Sequence, residues 1–304
     1  MSASLSRLPA IALLMLAAAL PLAPSASAQG VTIPTLERIR QNGAIYVGYR
    51  ESSVPFSYLV GDKPVGYSMD LCEGIVAAVR AKLGTPALPV VHVPANSSTR
   101  LLLLMTGAID LECGSTTNTR TRQNQVAFSV TTYVSGIKAL VHKDSGLERL
   151  ADLNGKAVAT TAGTTTERAV RIAMAARNAS VRFKSGRDHG DSLMMVVSRH
   201  VDAFALDDAV LAGLLSGLPD RDQYRLLEEN FGLEPYAIAM RKDDPDFKNL
   251  VDDALIAMMG SGEMERLYEK WFMSPIPPNK VNLRIPMSDM LRGMLRNPSD
   301  AGIQ

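Results

Sequence analysis

The feature that most limits what this chain can fold into is a repeated alternation of short apolar runs with helically spaced segments. Pro34 to Asn42 reads as a short helix, with its proline in the first turn. Ala44 to Tyr49 is a short apolar strand, and Gly61-Asp62-Lys63-Pro64 marks a hairpin turn. Ser68 to Leu83 sets Leu71, Ile75, Val76, Val79 and Leu83 at helical spacing. Ala87 to Val93 then reads as a strand, Arg100 to Thr106 as a helix, and Ile109 to Glu112 as a strand. Strand, helix, strand, helix, strand predicts an α/β lobe on a largely parallel sheet.

The order returns downstream. Gly136 to His142 reads as a strand and Asp152-Leu153-Asn154-Gly155 as a turn. Lys156 to Thr160 is a strand, with a glycine-hydroxyl loop and a helix from about Thr166 after it. Val181 to Phe183 and Val201 to Leu206 are strands around a helix at Asp191 to Ser198. A helix at Asp208 to Leu215 and strands at Tyr224 to Leu227 and Tyr236 to Met240 follow. Helices are expected at Asp246 to Met259, Gly262 to Phe272 and Ser288 to Leu295. The chain therefore reads as two α/β lobes that share an element order.

The first 28 residues stand apart. Arg7, the apolar run Ile11 to Leu20 and the small residues Ala26-Ser27-Ala28 form a signal-peptide pattern. It predicts cleavage before Gln29 and export. No cysteine follows the apolar run, so no lipoprotein anchor is expected. The rest reads as globular sequence; the whole chain of 304 residues is 46% hydrophobic and 21% charged. Losing Arg7 would bring the 32 basic residues level with the 31 acidic ones. That balance argues against a general nucleic-acid or membrane-surface binder. Cys72 and Cys113 are the only cysteines. A disulfide stays open, because sequence does not place their Cα atoms; two buried apolar thiols is the reading taken. His92, His142, His189 and His200 show no metal-ligand spacing, so neither metal nor cofactor is expected.

In open α/β sheets, ligands sit at the carboxyl ends of strands. Arg50 follows the first strand there, Ser97 and Arg100 the next, and Ser115, Thr116 and Thr117, with Arg122 beyond, the third. The second lobe supplies Gly163, Thr164, Thr165, Thr166, Asp188, His189, Asp207 and Asp208. Bidentate arginine and backbone amides suit a carboxylate, and a carboxylate suits an ammonium. Three arginines against one well-placed acid predict a small zwitterion carrying extra negative charge. Any one of these arginines is more commonly a solvated surface group; their shared position at strand ends is the argument. Ser135 to Lys138 matches SxxK but lies in a strand without partner motifs, so it is taken as chance. Asp188 and His189 are sequence neighbours that rarely face each other, so an acid/base pair is not favoured.

RESSVPFSY, VGYSMDLCEGIV, DLECGSTTNTRTRQNQVAFS, DLNGKAVATTAGTTTE, DHGDS, DDAVLAG, AMRKDDPDFKNLVDD and SGEMERLYEKWFMSPIPP closely resemble the acidic-amino-acid members of solute-binding protein family 3. These are periplasmic binding proteins of ABC importers. The resemblance spans about residues 33 to 290. It implies a two-lobed type II periplasmic binding fold with two crossing hinge segments, near Thr132 to Gly136 and Glu234 to Ala237. Lobe 1 would be 33–134 plus 237–280, lobe 2 135–236, and 281–304 a C-terminal tail packing on lobe 1. The last helices, with Trp271, would return to lobe 1.

The resemblance also implies roles. Arg122 would clamp the ligand α-carboxylate, with Ser115, Thr117 and Thr165. Asp207 would take the α-ammonium. Arg50, Arg100, His189 and Ser97 would face the side-chain carboxylate. Met69 departs from the polar residue that similar sequences tend to carry. The implied function is capture of L-glutamate or L-aspartate by a periplasmic monomer that delivers it to an inner-membrane ABC permease. An enzyme on the same scaffold, resembling cyclohexadienyl dehydratases, is the alternative; the full arginine set argues against it. A sensory module would be fused to a membrane helix or signalling domain.

Overall fold

The computed structural model describes residues 33–304, so the signal-peptide expectation over 1–28 lies outside the described residues. Two mixed sheets organise the chain. The first has the order Val90–Pro94, Ile45–Tyr49, Leu111–Glu112, Ala239–Arg241, Val126–Phe128. Its first three strands are parallel, as the strand–helix–strand pattern requires. Ala239–Arg241 enters antiparallel to both its neighbours, Leu111–Glu112 and Val126–Phe128. The second sheet runs Arg182–Gly186, Ala157–Thr161, Ala203–Asp207, Tyr133–His142, Tyr224–Leu226. Gly232–Tyr236 also pairs with the long strand Tyr133–His142.

The chain passes between the sheets twice, side by side. It leaves the first sheet after Phe128 and enters the second at Tyr133. It returns from Tyr236 to Ala239. Tyr133 stands opposite Tyr236 in the antiparallel register. The Ser129 N–H donates to Ile238 O (2.9 Å) and the Thr132 N–H to Tyr236 O (2.8 Å). One strand was expected over Tyr236 to Met240. Instead the pairing breaks there, and the segment serves both sheets.

The helical spacing of Ser68 to Leu83 has a clear physical outcome. Leu71, Ile75, Val76 and Val79 of the helix Tyr67–Leu83 are fully buried. That face packs on the helices Pro245–Gly260 and Glu263–Tyr268. Trp271 Nε1 and Lys270 Nζ both donate to Asp70 Oδ2 at 2.6 Å, fixing the late segment to this helix. Where the chain crosses, Phe56, Tyr67, Tyr133, Tyr236, Tyr268 and Phe272 form one aromatic cluster, with Phe56 at 4.8–5.5 Å from Tyr133, Tyr236 and Phe272.

Cys72 and Cys113 are joined by a disulfide, which corrects the reading of two free buried thiols. The helix face that buries Cys72 lies against the end of Leu111–Glu112, and the Cα atoms sit 6.3 Å apart. A cross-link closing a loop of this size contributes about 2–4 kcal/mol. It fixes the start of the segment CGSTTNTRTR.

The tail does more than pack on the first sheet's lobe. Pro275–Ile276 and Val281–Asn282 form a small hairpin. The helix Asp289–Arg296, capped by Ser288 Oγ, rests on both Pro245–Gly260 and the crossing strand Tyr133–His142. Ile285 and Pro286 share a small cavity with Asp208, Ala209 and Ala212 of the second lobe. The chain end then reaches the predicted binding loop: the Arg120 N–H donates to Ile303 O, and the Ile303 N–H to Asn118 O.

Candidate ligand-binding site

Arg50 follows the strand Ile45–Tyr49 and is 1% exposed. Its Nη2 donates to Ser97 Oγ (2.8 Å) and lies 3.4 Å from His189 Nε2. Its Nη1 has no hydrogen-bond partner among the described residues. Burial, then the Arg100 charge, lowers Arg50 to about 9, so it stays cationic at neutral pH.

Arg100 opens the helix Arg100–Met105. It donates to Thr116 Oγ1 (2.6 Å) and Ser115 O (3.2 Å). Thr116 in turn donates to Glu112, a carboxylate with no solvent exposure at the end of its strand. Glu112 is thus an internal counter-charge beneath the Arg50–Arg100 pair. In the sequence it stands only as the last residue of an expected strand.

Arg122 lies in the short helix Arg120–Gln123, which Thr119 caps at 3.1 Å. Its Nη1 donates to Thr117 O (2.9 Å), and its Nη2 reaches across the cleft to Gly163 O (3.1 Å). Burial, then Arg100, lowers it to about 10. Ser115 Oγ meets Ser53 Oγ at 3.3 Å.

The second lobe faces these groups. His189 is the first residue of the helix His189–Val197, two residues earlier than the expected start, because Asp188 Oδ1 accepts from the Asp191 N–H as its cap. Asp188 and His189 therefore do not act on each other. His189 Nδ1 lies 3.0 Å from Thr161 Oγ1. Burial, then Arg50 and Arg100, pulls the imidazole well below its usual range, leaving it uncharged at neutral pH. Asp207 ends the strand Ala203–Asp207, and its Oδ1 has no partner among the described residues. Burial, then the charge of Glu234, pushes its carboxyl well above the usual range.

Glu234 was not foreseen. It sits on the crossing strand Gly232–Tyr236, 2% exposed, and accepts from the hydroxyls of Thr117 and Thr165. Those two hydroxyls, one from each side of the cleft, are 3.4 Å apart.

A narrow, closed cleft with no room for a free water brings the predicted residues together. Arg50, Ser97, Arg100, Ser115, Thr117, Thr165, His189 and Asp207 line it, with Thr164 and Glu234 added. Arg122 stands behind Thr117 rather than in the lining. Two close approaches hold the walls together. A Cβ on Gly163, whose φ is +77°, would lie 2.6 Å from the Ser97 carbonyl. One on Gly213, in the helix Asp208–Leu215, would lie 2.2 Å from Val54 O. Ser135, of the SxxK match, donates to Asp208 at 2.7 Å and is a structural contact.

Two lobes, a double crossing and a buried charged cavity between them define a protein that encloses a small polar solute. The comparisons agree. The model of bacterial extracellular solute-binding proteins, family 3, matches residues 45–274, and the chain belongs to that family. It is 41% identical over 298 residues to the glutamate/aspartate import solute-binding protein of Escherichia coli K12, covering 98% of this chain and 99% of that one. It is 41% identical over 268 residues to the L-glutamate/L-aspartate-binding protein of Pseudomonas aeruginosa, covering 88% and 89%. The structure of an ancestral arginine-binding protein bound to arginine matches with a TM-score of 0.66 at 31% identity, over 76% of this chain and 98% of that one. These relatives are named as binding proteins, not as enzymes.

Proposed function

We propose that this protein captures L-glutamate and L-aspartate between its lobes and presents them to the inner-membrane permease of an ABC importer. It would do so as a periplasmic monomer, after cleavage before Gln29. The observation that carries the reading is the convergence of buried Arg50 and Arg100 on one cleft, with Arg122 behind it and Asp207, whose Oδ1 lacks a partner among the described residues, opposite. The names of the 41% identical relatives support the same ligands.

In this reading Arg122, Ser115, Thr117 and Thr165 hold the α-carboxylate. Asp207 holds the α-ammonium. Arg50, Arg100, Ser97 and His189 hold the side-chain carboxylate. The orphan Arg50 Nη1 gains an acceptor, and an anion between Arg50 and Arg100 relieves their mutual repulsion. Micromolar capture needs about 8 kcal/mol. Charge-assisted hydrogen bonds of roughly 1.5–3 kcal/mol each reach it after ordering costs. Residues 33–134 with 237–280 would move as one lobe and 135–236 as the other, hinging at the paired crossings.

Equilibrium dialysis with radiolabelled L-glutamate tests the proposal. The wild type should retain the label. Arg100→Ala should lose about a hundredfold in affinity or more, with an unchanged circular dichroism spectrum. Retention of label by neither protein contradicts the function. Equal retention by both removes Arg100 from the site.

A further inference from the structure

Two buried carboxylates, not one, face the cavity. Asp207 and Glu234 both line it, and neither makes an ion pair among the described residues. Glu234 is held rigidly: each carboxylate oxygen accepts a threonine hydroxyl, Thr117 from one side of the cleft and Thr165 from the other. An ionised carboxylate has about four acceptor sites, so two hydroxyls leave it further capacity. Buried acids are commonly paired or neutralised. The arginines of the site point their contacts elsewhere: Arg100 reaches Thr116 and Ser115, Arg122 the Thr117 and Gly163 carbonyls, and Arg50 Ser97, none of them Asp207 or Glu234. The group that suits this wall is therefore a cation brought by the ligand.

We propose that Glu234 acts with Asp207 as a second carboxylate facing the ligand ammonium, so that the site demands an amino group and rejects plain dicarboxylates. This rests on the acidic-amino-acid reading above. A dicarboxylate without nitrogen satisfies the arginine wall just as well. It would also close the cleft over two acids without bringing the cation that lets both ionise, so it gains nothing at this wall, whereas an amino acid does. An amino acid supplies the missing charge. The position of Glu234 matters as well. It lies on a crossing strand, and its carboxylate meets Thr117 and Thr165 together where the two walls approach. The effect of Glu234 on Asp207, whose carboxyl is pushed up first by burial and next by Glu234, agrees with two acids sharing one small space.

The competing role is a strut, in which Glu234 serves only as an acceptor linking two threonines. Two variants separate the roles. Glu234→Gln keeps an acceptor and the side-chain length but removes the charge. Thr165→Val removes one strut contact and leaves both acids. Affinities for L-glutamate and for glutarate, the same carbon chain without the amino group, would be measured by calorimetry on ligand-stripped protein. Circular dichroism would check the fold of each variant. We expect Glu234→Gln to weaken L-glutamate by about tenfold or more while glutarate holds or improves, so their affinity ratio shrinks. Thr165→Val should weaken both and keep the ratio. An unchanged ratio in Glu234→Gln overturns the proposal and leaves a strut. A ratio that shrinks equally in both variants also overturns it. Wild-type protein that binds neither ligand overturns the acidic-ligand reading itself, a distinct result from tight L-glutamate binding with an unmoved ratio.

Discussion

The ligand cavity and the aromatic cluster at the crossings are equally buried, yet they are built from opposite chemistry. The cluster is rings on rings: Phe56 edge-on to Tyr133 at 4.8 Å, and Tyr133 stacked on Phe272 at 5.0 Å. Its stabilisation is apolar area and ring geometry, although the Tyr236 hydroxyl lacks a partner among the described residues. The cavity is cations on hydroxyls over a buried Glu112, with Arg50 Nη1 and Asp207 Oδ1 left without partners. Unsatisfied buried polar atoms cost about 1–3 kcal/mol each, so this region gives up stability that a ligand restores. Tyr236 joins the two, its ring in the cluster and its strand carrying Glu234 into the cavity. The contrast teaches a division of labour. One region holds the crossings together, and the other is held ready for a charge it does not itself contain.

Breaking the cluster should cost the most. Phe56→Ala removes the ring that touches Tyr133, Tyr236 and Phe272, and should lower unfolding free energy by about 3–5 kcal/mol in urea titration. The arginine contacts of the cavity stay, so selectivity for acids in the folded fraction should persist. A loss of selectivity without a loss of stability would reverse the assignment of the two regions.

Gly213→Ala sharpens the comparison from the other side. The added methyl collides with Val54 O at 2.2 Å, across the cleft rather than within a lobe. Alanine is about 1 kcal/mol better than glycine inside a helix. The ligand-free melting temperature should therefore hold or rise, while affinity for L-glutamate falls about tenfold. Unchanged affinity would mean that the Val54 approach has no part in closure.

The smallest effect is a proton. Burial and Glu234 hold the Asp207 carboxyl well above the usual range in the free protein. An ammonium favours the ionised form, so binding lowers that pKa and releases a proton. Affinity should then rise with pH through the free-protein titration of the Asp207–Glu234 pair and fall below it. Calorimetry in two buffers of different ionisation enthalpy should show a fractional release, at most about one proton. No release would place Asp207 in its ionised form before the ligand arrives.

Much of this was legible in the chain. Helical spacing located Tyr67–Leu83, and strand ends located Arg50, Arg100 and Asp207, because period and strand polarity are local properties. What escaped was set by tertiary placement. Glu234 sits before Pro235 and read as part of a crossing. It lies in a strand that pairs with Tyr133–His142 on one side and meets only the short Thr116–Asn118 segment on the other, where Pro235 accepts through its carbonyl and needs no N–H. Glu112 looked like an ordinary strand residue, since nothing local says that Thr116 folds back onto it. The Cys72–Cys113 bond depends on how a helix packs on a strand end 41 residues away. Ile303 pairs with the loop at Asn118 to Arg120 through backbone groups that carry no sequence signal.

The central claim is that the arginine wall selects a second negative charge. Calorimetric titration of the ligand-stripped protein with L-glutamate, L-aspartate and L-glutamine tests it most directly. The account predicts tight binding of both acids, with L-glutamine weaker by about a hundredfold or more, because its amide leaves Arg50 and Arg100 enclosed without an anion. L-Glutamine bound as tightly as L-glutamate would contradict it.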